Sequence, residues 1–146
     1  MPKLLTNLDQ ALARAKELAS GEKRVLIGVI GKPGAGKSTL TSYLINNLEP
    51  DLTALVPMDG YHLSNKQLQR LNLSDSKGAF NTFDSDGFVS LLRRINLDTD
   101  KDIYYPIFHR EIEESYAADG VVLKNTRLVI TEGNYLLLEK GGWESV

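Results

Sequence analysis

One eight-residue loop limits this chain more than any other part of its sequence: Gly31-Lys32-Pro33-Gly34-Ala35-Gly36-Lys37-Ser38. It matches G-x-x-x-x-G-K-[ST], and its flanks are those the pattern requires. Before it, RVLIGVI (24 to 30) is a short apolar run of the kind that forms a strand covered on both faces of a parallel sheet. After it, KSTLTSYLINNL (37 to 48) has helical periodicity and is stopped by Pro50. Glycines let the backbone wrap closely enough for successive N–H groups to converge on phosphate oxygens. The helix that starts near Lys37 adds its positive dipole end and unpaired N–H groups. The loop therefore reads as a polyphosphate cradle over Gly31, Lys32, Pro33, Gly34, Ala35, Gly36, Lys37, Ser38 and Thr39. Lys37 would reach the β and γ phosphates of a nucleotide, and the Ser38 hydroxyl would ligate Mg²⁺. The bland alternative is a glycine-rich turn that matches by accident.

A local anion site of this kind suits the composition. The net charge is −2, so the broad basic face expected of a nucleic-acid binder is missing. There is no cysteine, and the two histidines, His62 and His109, are too few for Cys/His zinc ligation. No apolar run approaches the roughly 20 residues of a membrane span and no signal-peptide core precedes the first helix, so the expected location is cytoplasmic.

Elsewhere, LLTNLDQALARAKELA (4 to 19) spaces leucine and alanine as an amphipathic packing helix that ends at Ser20-Gly21. LTALVPM (52 to 58) and RLVITEG (127 to 133) read as two more buried strands, and SDGFVSLLRRINL (85 to 97) as a helix with Asp84 or Ser85 as N-cap. Residues 72 to 81 read as a polar loop, and 102 to 110 and 120 to 125 as short extended segments flanking an acidic turn. Strands alternating with helices imply one α/β three-layer domain with a mostly parallel sheet: an N-terminal helix over 1–21 and a nucleotide-binding core over 24–146.

In an open parallel sheet, ligands sit beyond the carboxyl ends of the strands. Asp59 and Glu132 follow apolar runs and should face the same crevice as the loop, where an unpaired carboxylate would be costly. Asp59 could serve as general base toward an acceptor hydroxyl or as a direct or water-mediated Mg²⁺ ligand, and Glu132 fits the Mg²⁺ role better. Each could instead merely cap a turn. Arg110 could clamp an acceptor or pair with Glu111, Glu113 or Glu114. His62 could contact substrate or bond to backbone. Arg93-Arg94 and the REIEES charges read as solvated surface. TEGN at 131 to 134 is no Asp-x-x-Gly switch, and no Asn-Lys-x-Asp or Leu-Ser-Gly-Gly motif occurs, which disfavours GTPases and transporter ATPases.

GKPGAGKST, MDGYHLSN, KGAFNTFDSDGF, YYPIFHREIEE and VITEGNYLLL occur in this order. Together they resemble the P-loop small-molecule kinases grouped with phosphoribulokinase, uridine kinase and bacterial pantothenate kinase. The likeness is greatest to the pantothenate-kinase-like branch, which includes kinases associated with sugar (fructose) transport. It runs from about Arg24 to the end. It implies ATP and Mg²⁺ as cofactors and a small-molecule alcohol as acceptor. It also implies Asp59 as base and metal-site acid, Glu132 as the Walker-B-like acid, and Tyr61, His62 and the PIFHR segment, with Phe83 and Tyr105, around the acceptor.

Members of that group continue past the EGNYLLL strand into further strands and an arginine-bearing lid, so the chain is expected to be truncated after its third core strand. Its other two parallel strands would then lie on one side of the phosphate-loop strand. The bare edge would invite a second copy of the chain. The rival expectation is a regulatory or assembly module that binds nucleotide without transferring phosphate.

Overall fold

The computed structural model describes residues 2–146. Its elements are α1 (Leu8–Ala19), β1 (Val25–Ile30), α2 (Lys37–Asn47), β2 (Thr53–Pro57), α3 (Asn65–Arg70), α4 (Ser85–Leu97), β3 (Ile103–His109), β4 (Glu114–Val122) and β5 (Leu128–Gly133). Asn7 caps α1 by accepting from the Gln10 N–H, and Asp84 caps α4 by accepting from the Gly87 N–H. Helix α3 has no periodic signature in the sequence. It is a short polar hexapeptide with too few apolar residues to show a period, and it starts because the Ser64 hydroxyl accepts from the Gln67 N–H.

Strands β1, β5 and β2 form a parallel sheet in that order. Glu132 on β5 lies in register with Val29 of β1 and Pro57 of β2, so all three strands end at one level. On one face, α1 and α2 pack Ala15, Leu12, Leu40 and Leu44 against Val29, Leu128 and Ile130. On the other, α4 and the β3–β4 hairpin bury Phe88, Leu91, Ile95, Ile103 and Val122 with Val56, Met58, Val129 and Trp143. This is the three-layer α/β arrangement, with a core on each side of the sheet.

The strand enclosed on both faces is β5, in which Leu128 to Thr131 are all buried. In β1 only Val29 is buried, and Gly28 and Ile30 are exposed. The apolar run before the loop does form a strand, but here that strand lies at the sheet edge with both parallel neighbours to one side, so burial on both faces is corrected to burial mainly on the α1–α2 face.

The extended segments near 105 and 120 are an antiparallel hairpin, and β4 begins at Glu114, earlier than the apolar pattern indicates. Its first half is polar and half exposed, so the burial alternation that marks a strand in sequence is absent there.

Candidate functional site

The loop turns into α2 through Gly34 and Gly36, whose φ angles of 79° and 92° lie in the left-handed region. Gly36 is the N-cap, and α2 has neither a capping side chain nor an acid in its first turn. Its first N–H groups are thus left to an outside acceptor. Lys37 folds back over the loop and donates from Nζ to the carbonyls of Gly31 (2.7 Å) and Lys32 (3.0 Å).

Glu132 joins the loop to the sheet. Its Oε1 accepts from the Ser38 hydroxyl at 3.1 Å, and its Oε2 accepts from the Thr41 hydroxyl at 2.9 Å. Thr41, three residues beyond Ser38 on the same helix face, is not among the site residues expected from the sequence; the i, i+3 spacing of two hydroxyl residues is the signal that could have found it. Beside them, β2 ends at Pro57 and the chain makes a tight turn over Met58–Tyr61. Gly60 is required there, since a Cβ would run into the Pro106 carbonyl oxygen. The turn leaves Asp59 about two-fifths exposed, with Arg110 Nη2 of the hairpin turn 3.7 Å from its Oδ2.

These groups line one cleft of about 600 Å³, with Pro33, Gly34, Lys37 and Ser38 at one end, Asp59 and Glu132 within it, and His62, Phe83, Phe108 and Arg110 at the other. His62 is wedged between Phe83 and Phe108, and its Nδ1 donates to the Asp59 carbonyl oxygen at 2.7 Å. Lys77, Gly78, Glu113 and Asn134 also line the cleft; they fall within KGAFNTFDSDGF, YYPIFHREIEE and VITEGNYLLL but are not among the site residues expected from the sequence. Lys77 gives no local pattern, because the partners that hold it, Asn65 and Glu113, are distant in sequence.

Two expected pocket residues lie elsewhere. Tyr61 turns its ring edge-on to Phe88 of α4, 5.6 Å between centroids, and burial raises its phenol pKa. Tyr105 is in the core, where its hydroxyl donates to the Leu55 carbonyl at 2.8 Å. Neither placement follows from simple alternation: Tyr61 ends the tight turn over Met58–Tyr61, and the β3 register shifts between Tyr105 and Ile107, so Tyr105 packs inward while Phe108 lines the cleft. His109 is also outside the cleft lining, held between Asp119 (2.7 Å) and Glu111 (3.1 Å), which push its pKa up.

Ser38, Glu132 and Asp59 offer a hydroxyl and two carboxylates, an all-oxygen set that suits a hard divalent cation such as Mg²⁺. Among the described residues no three His, Cys, Asp or Glu side chains form a metal-holding group by themselves.

A parallel sheet with this loop at its first strand, and an acid at the end of the adjacent strand facing it, defines a P-loop nucleotide-binding domain. No family model matches the chain. The crystal structure of a candidate fructose transport system kinase from Silicibacter sp. TM1040 superposes with a TM-score of 0.79 at 34% identity, over 95% of this chain and 68% of that one. A candidate uridine kinase of Schizosaccharomyces pombe is 38% identical over 95% of this chain; the chain spans 63% of that relative's length. YFH7 of Saccharomyces cerevisiae, at 18% identity, shares the fold with a TM-score of 0.80. The chain belongs to the P-loop kinase group. Among the described residues no helix is long and apolar enough to cross a membrane.

Proposed function

We propose that the protein is an ATP-dependent kinase that moves the γ-phosphoryl group to a hydroxyl of a small metabolite such as a sugar, a sugar acid or a pantothenate-like alcohol. The observation that carries this reading is the single cleft that Lys37, Ser38, Glu132 and Asp59 all line, with hydrogen-bonding side chains at its far end. The kinase relatives support it.

In this reading the loop amides between Gly31 and Thr39 and the Lys37 ammonium hold the phosphates, Lys37 exchanging its bonds to Gly31 and Lys32 for phosphate oxygens. Ser38, Glu132 and Asp59 would hold Mg²⁺, which when bound neutralises charge on the phosphate oxygens. Asp59 takes the proton of the acceptor hydroxyl as that oxygen attacks the γ-phosphorus and the bond to the bridging oxygen of ADP breaks. Arg110 and His62 orient the acceptor. Positioning and charge stabilisation carry the rate.

The test is transfer of label from γ-labelled Mg-ATP to added alcohols by the wild type and Asp59→Asn. Transfer that falls by about 10²- to 10⁴-fold in Asp59→Asn, with ATP binding kept, supports the kinase. ATP binding with no transfer to any alcohol would instead favour a nucleotide-binding regulatory module.

A further inference from the structure

The far end of the cleft is lined by three rings, His62, Phe83 and Phe108. The centroids of Phe83 and Phe108 each lie 4.2 Å from that of His62, and His62 and Phe108 are 24° from parallel. The Lys77 ammonium stands over Phe108, 5.4 Å from its centroid. Phe108 is thus engaged by both His62 and the ammonium. Lys77 is fixed there by the Asn65 side-chain oxygen (2.7 Å), the Glu113 carbonyl (2.6 Å) and the Glu113 carboxylate (3.3 Å). Its three donors are spent. Phe83 is buried against Tyr135 and Trp143 as well as His62. The three lining rings are therefore already engaged with one another and with Lys77, and a flat ligand ring that gains affinity by stacking would have to compete with those contacts.

The hydrogen-bonding groups, by contrast, have capacity to spare. A backbone carbonyl only accepts, so His62 Nδ1 carries the hydrogen that meets the Asp59 carbonyl. In the neutral ring Nε2 then presents a lone pair. It has no hydrogen-bond partner among the described residues and is not sealed from solvent. Asp59 has Arg110 at 3.7 Å, beyond hydrogen-bond range, and the Arg110 side chain is 80% exposed with its donors unspent. A carboxylate and an imidazole lone pair beside a guanidinium complement neighbouring hydroxyls, each of which both donates and accepts.

We propose, resting on the kinase reading above, that the acceptor is a small non-aromatic polyol, a sugar, alditol or sugar acid, recognised through adjacent hydroxyls by Asp59, His62 Nε2 and Arg110. Nucleosides are then poor acceptors, because Phe83, His62, Phe108 and Lys77 already engage one another and a base would have to compete with those contacts.

The experiment is calorimetric titration of the chain with aldoses, ketoses, alditols and aldonic acids against uridine, cytidine and adenosine, with phosphate transfer from Mg-ATP measured on the same panel. At least one polyol is expected to bind about tenfold or more tightly than any nucleoside. In His62→Phe, which keeps a flat ring between Phe83 and Phe108, its affinity should fall about tenfold. Polyol binding without transfer supports recognition of adjacent hydroxyls by Asp59, His62 and Arg110 but removes the kinase reading, and with it the acceptor role. A nucleoside that binds more tightly than every polyol overturns the proposal and, if it is phosphorylated, leaves the kinase reading intact. Binding by neither class, or unchanged polyol affinity in His62→Phe, also overturns it.

Discussion

Ser38, on the first turn of α2, donates its hydroxyl hydrogen to Glu132 at the end of β5 across 3.1 Å, although 94 residues separate them. The neighbouring Thr41 hydroxyl occupies the other carboxylate oxygen at 2.9 Å. The carboxylate thus ties the phosphate loop to the sheet and keeps its two oxygens in the lining of the cleft. In Glu132→Gln the charge is lost and one of the two hydroxyls loses its acceptor. Affinity for Mg-ATP should drop roughly tenfold or more, with a much smaller change when EDTA is present. Equal losses with and without Mg²⁺ would show that Glu132 only braces the loop.

Lys37→Ala removes the one ammonium of the phosphate loop helix. Its bonds to Gly31 and Lys32 are local and replaceable by water, so the fold should persist. Hydrogen bonds to charged groups contribute about 1.5–3 kcal/mol, so ATP affinity should fall roughly 10- to 100-fold. Calorimetry with a parallel circular dichroism spectrum measures both. Undiminished binding would place the nucleotide somewhere other than this loop.

The loop and its two acids are legible in the sequence because their chemistry depends on local features: glycine spacing, a preceding apolar run and a following helix. Asp59 and Glu132 follow from the rule that strand ends share a crevice, and parallel register does bring Pro57 level with Glu132. The acceptor end is only half legible. MDGYH names three candidate side chains, and backbone direction selects Asp59 and His62 while sending Tyr61 to the core.

His109 provides the pH prediction. Both its ring nitrogens face carboxylates, Asp119 and Glu111, an arrangement satisfied in full only by the doubly protonated ring. Asp119 first and Glu111 second raise its pKa above the ordinary 6.5. The sign follows from linkage: the clamp's stabilisation is complete below the unfolded value and is lost as pH rises through the raised folded value. Amide exchange in Glu114–Val122 should therefore quicken, beyond the ordinary base-catalysed increase, through that window, and His109→Gln should remove the excess. A ring titration by NMR at or below the ordinary histidine value would refute the clamp.

Gly60→Ala addresses the turn that carries Asp59. The added methyl meets the Pro106 carbonyl oxygen, a backbone atom that cannot swing away. Overpacking of this kind costs about 1–3 kcal/mol, read as a lower midpoint in chemical denaturation. Gly21→Ala, where nothing lies within 4 Å, is the control and should change stability little.

From the sequence alone came the α/β class, helices α1, α2 and α4, the three parallel strands and the phosphate loop. These rest on periodicity, capping residues and glycine placement, which act within a few residues. The bare edge of β1 is expected from the resemblance, but only the tertiary structure decided that β5 is the strand beside it, between β1 and β2, and that Ile30 is exposed there. Strand order is set by packing of whole layers, and a short apolar run reads alike at the edge and in the middle. The same holds for Lys77, Glu113 and Asn65, which meet from three separate segments and hold the Lys77 ammonium over Phe108. Their contact depends on how the hairpin docks beside α3, and no spacing within any one segment encodes it.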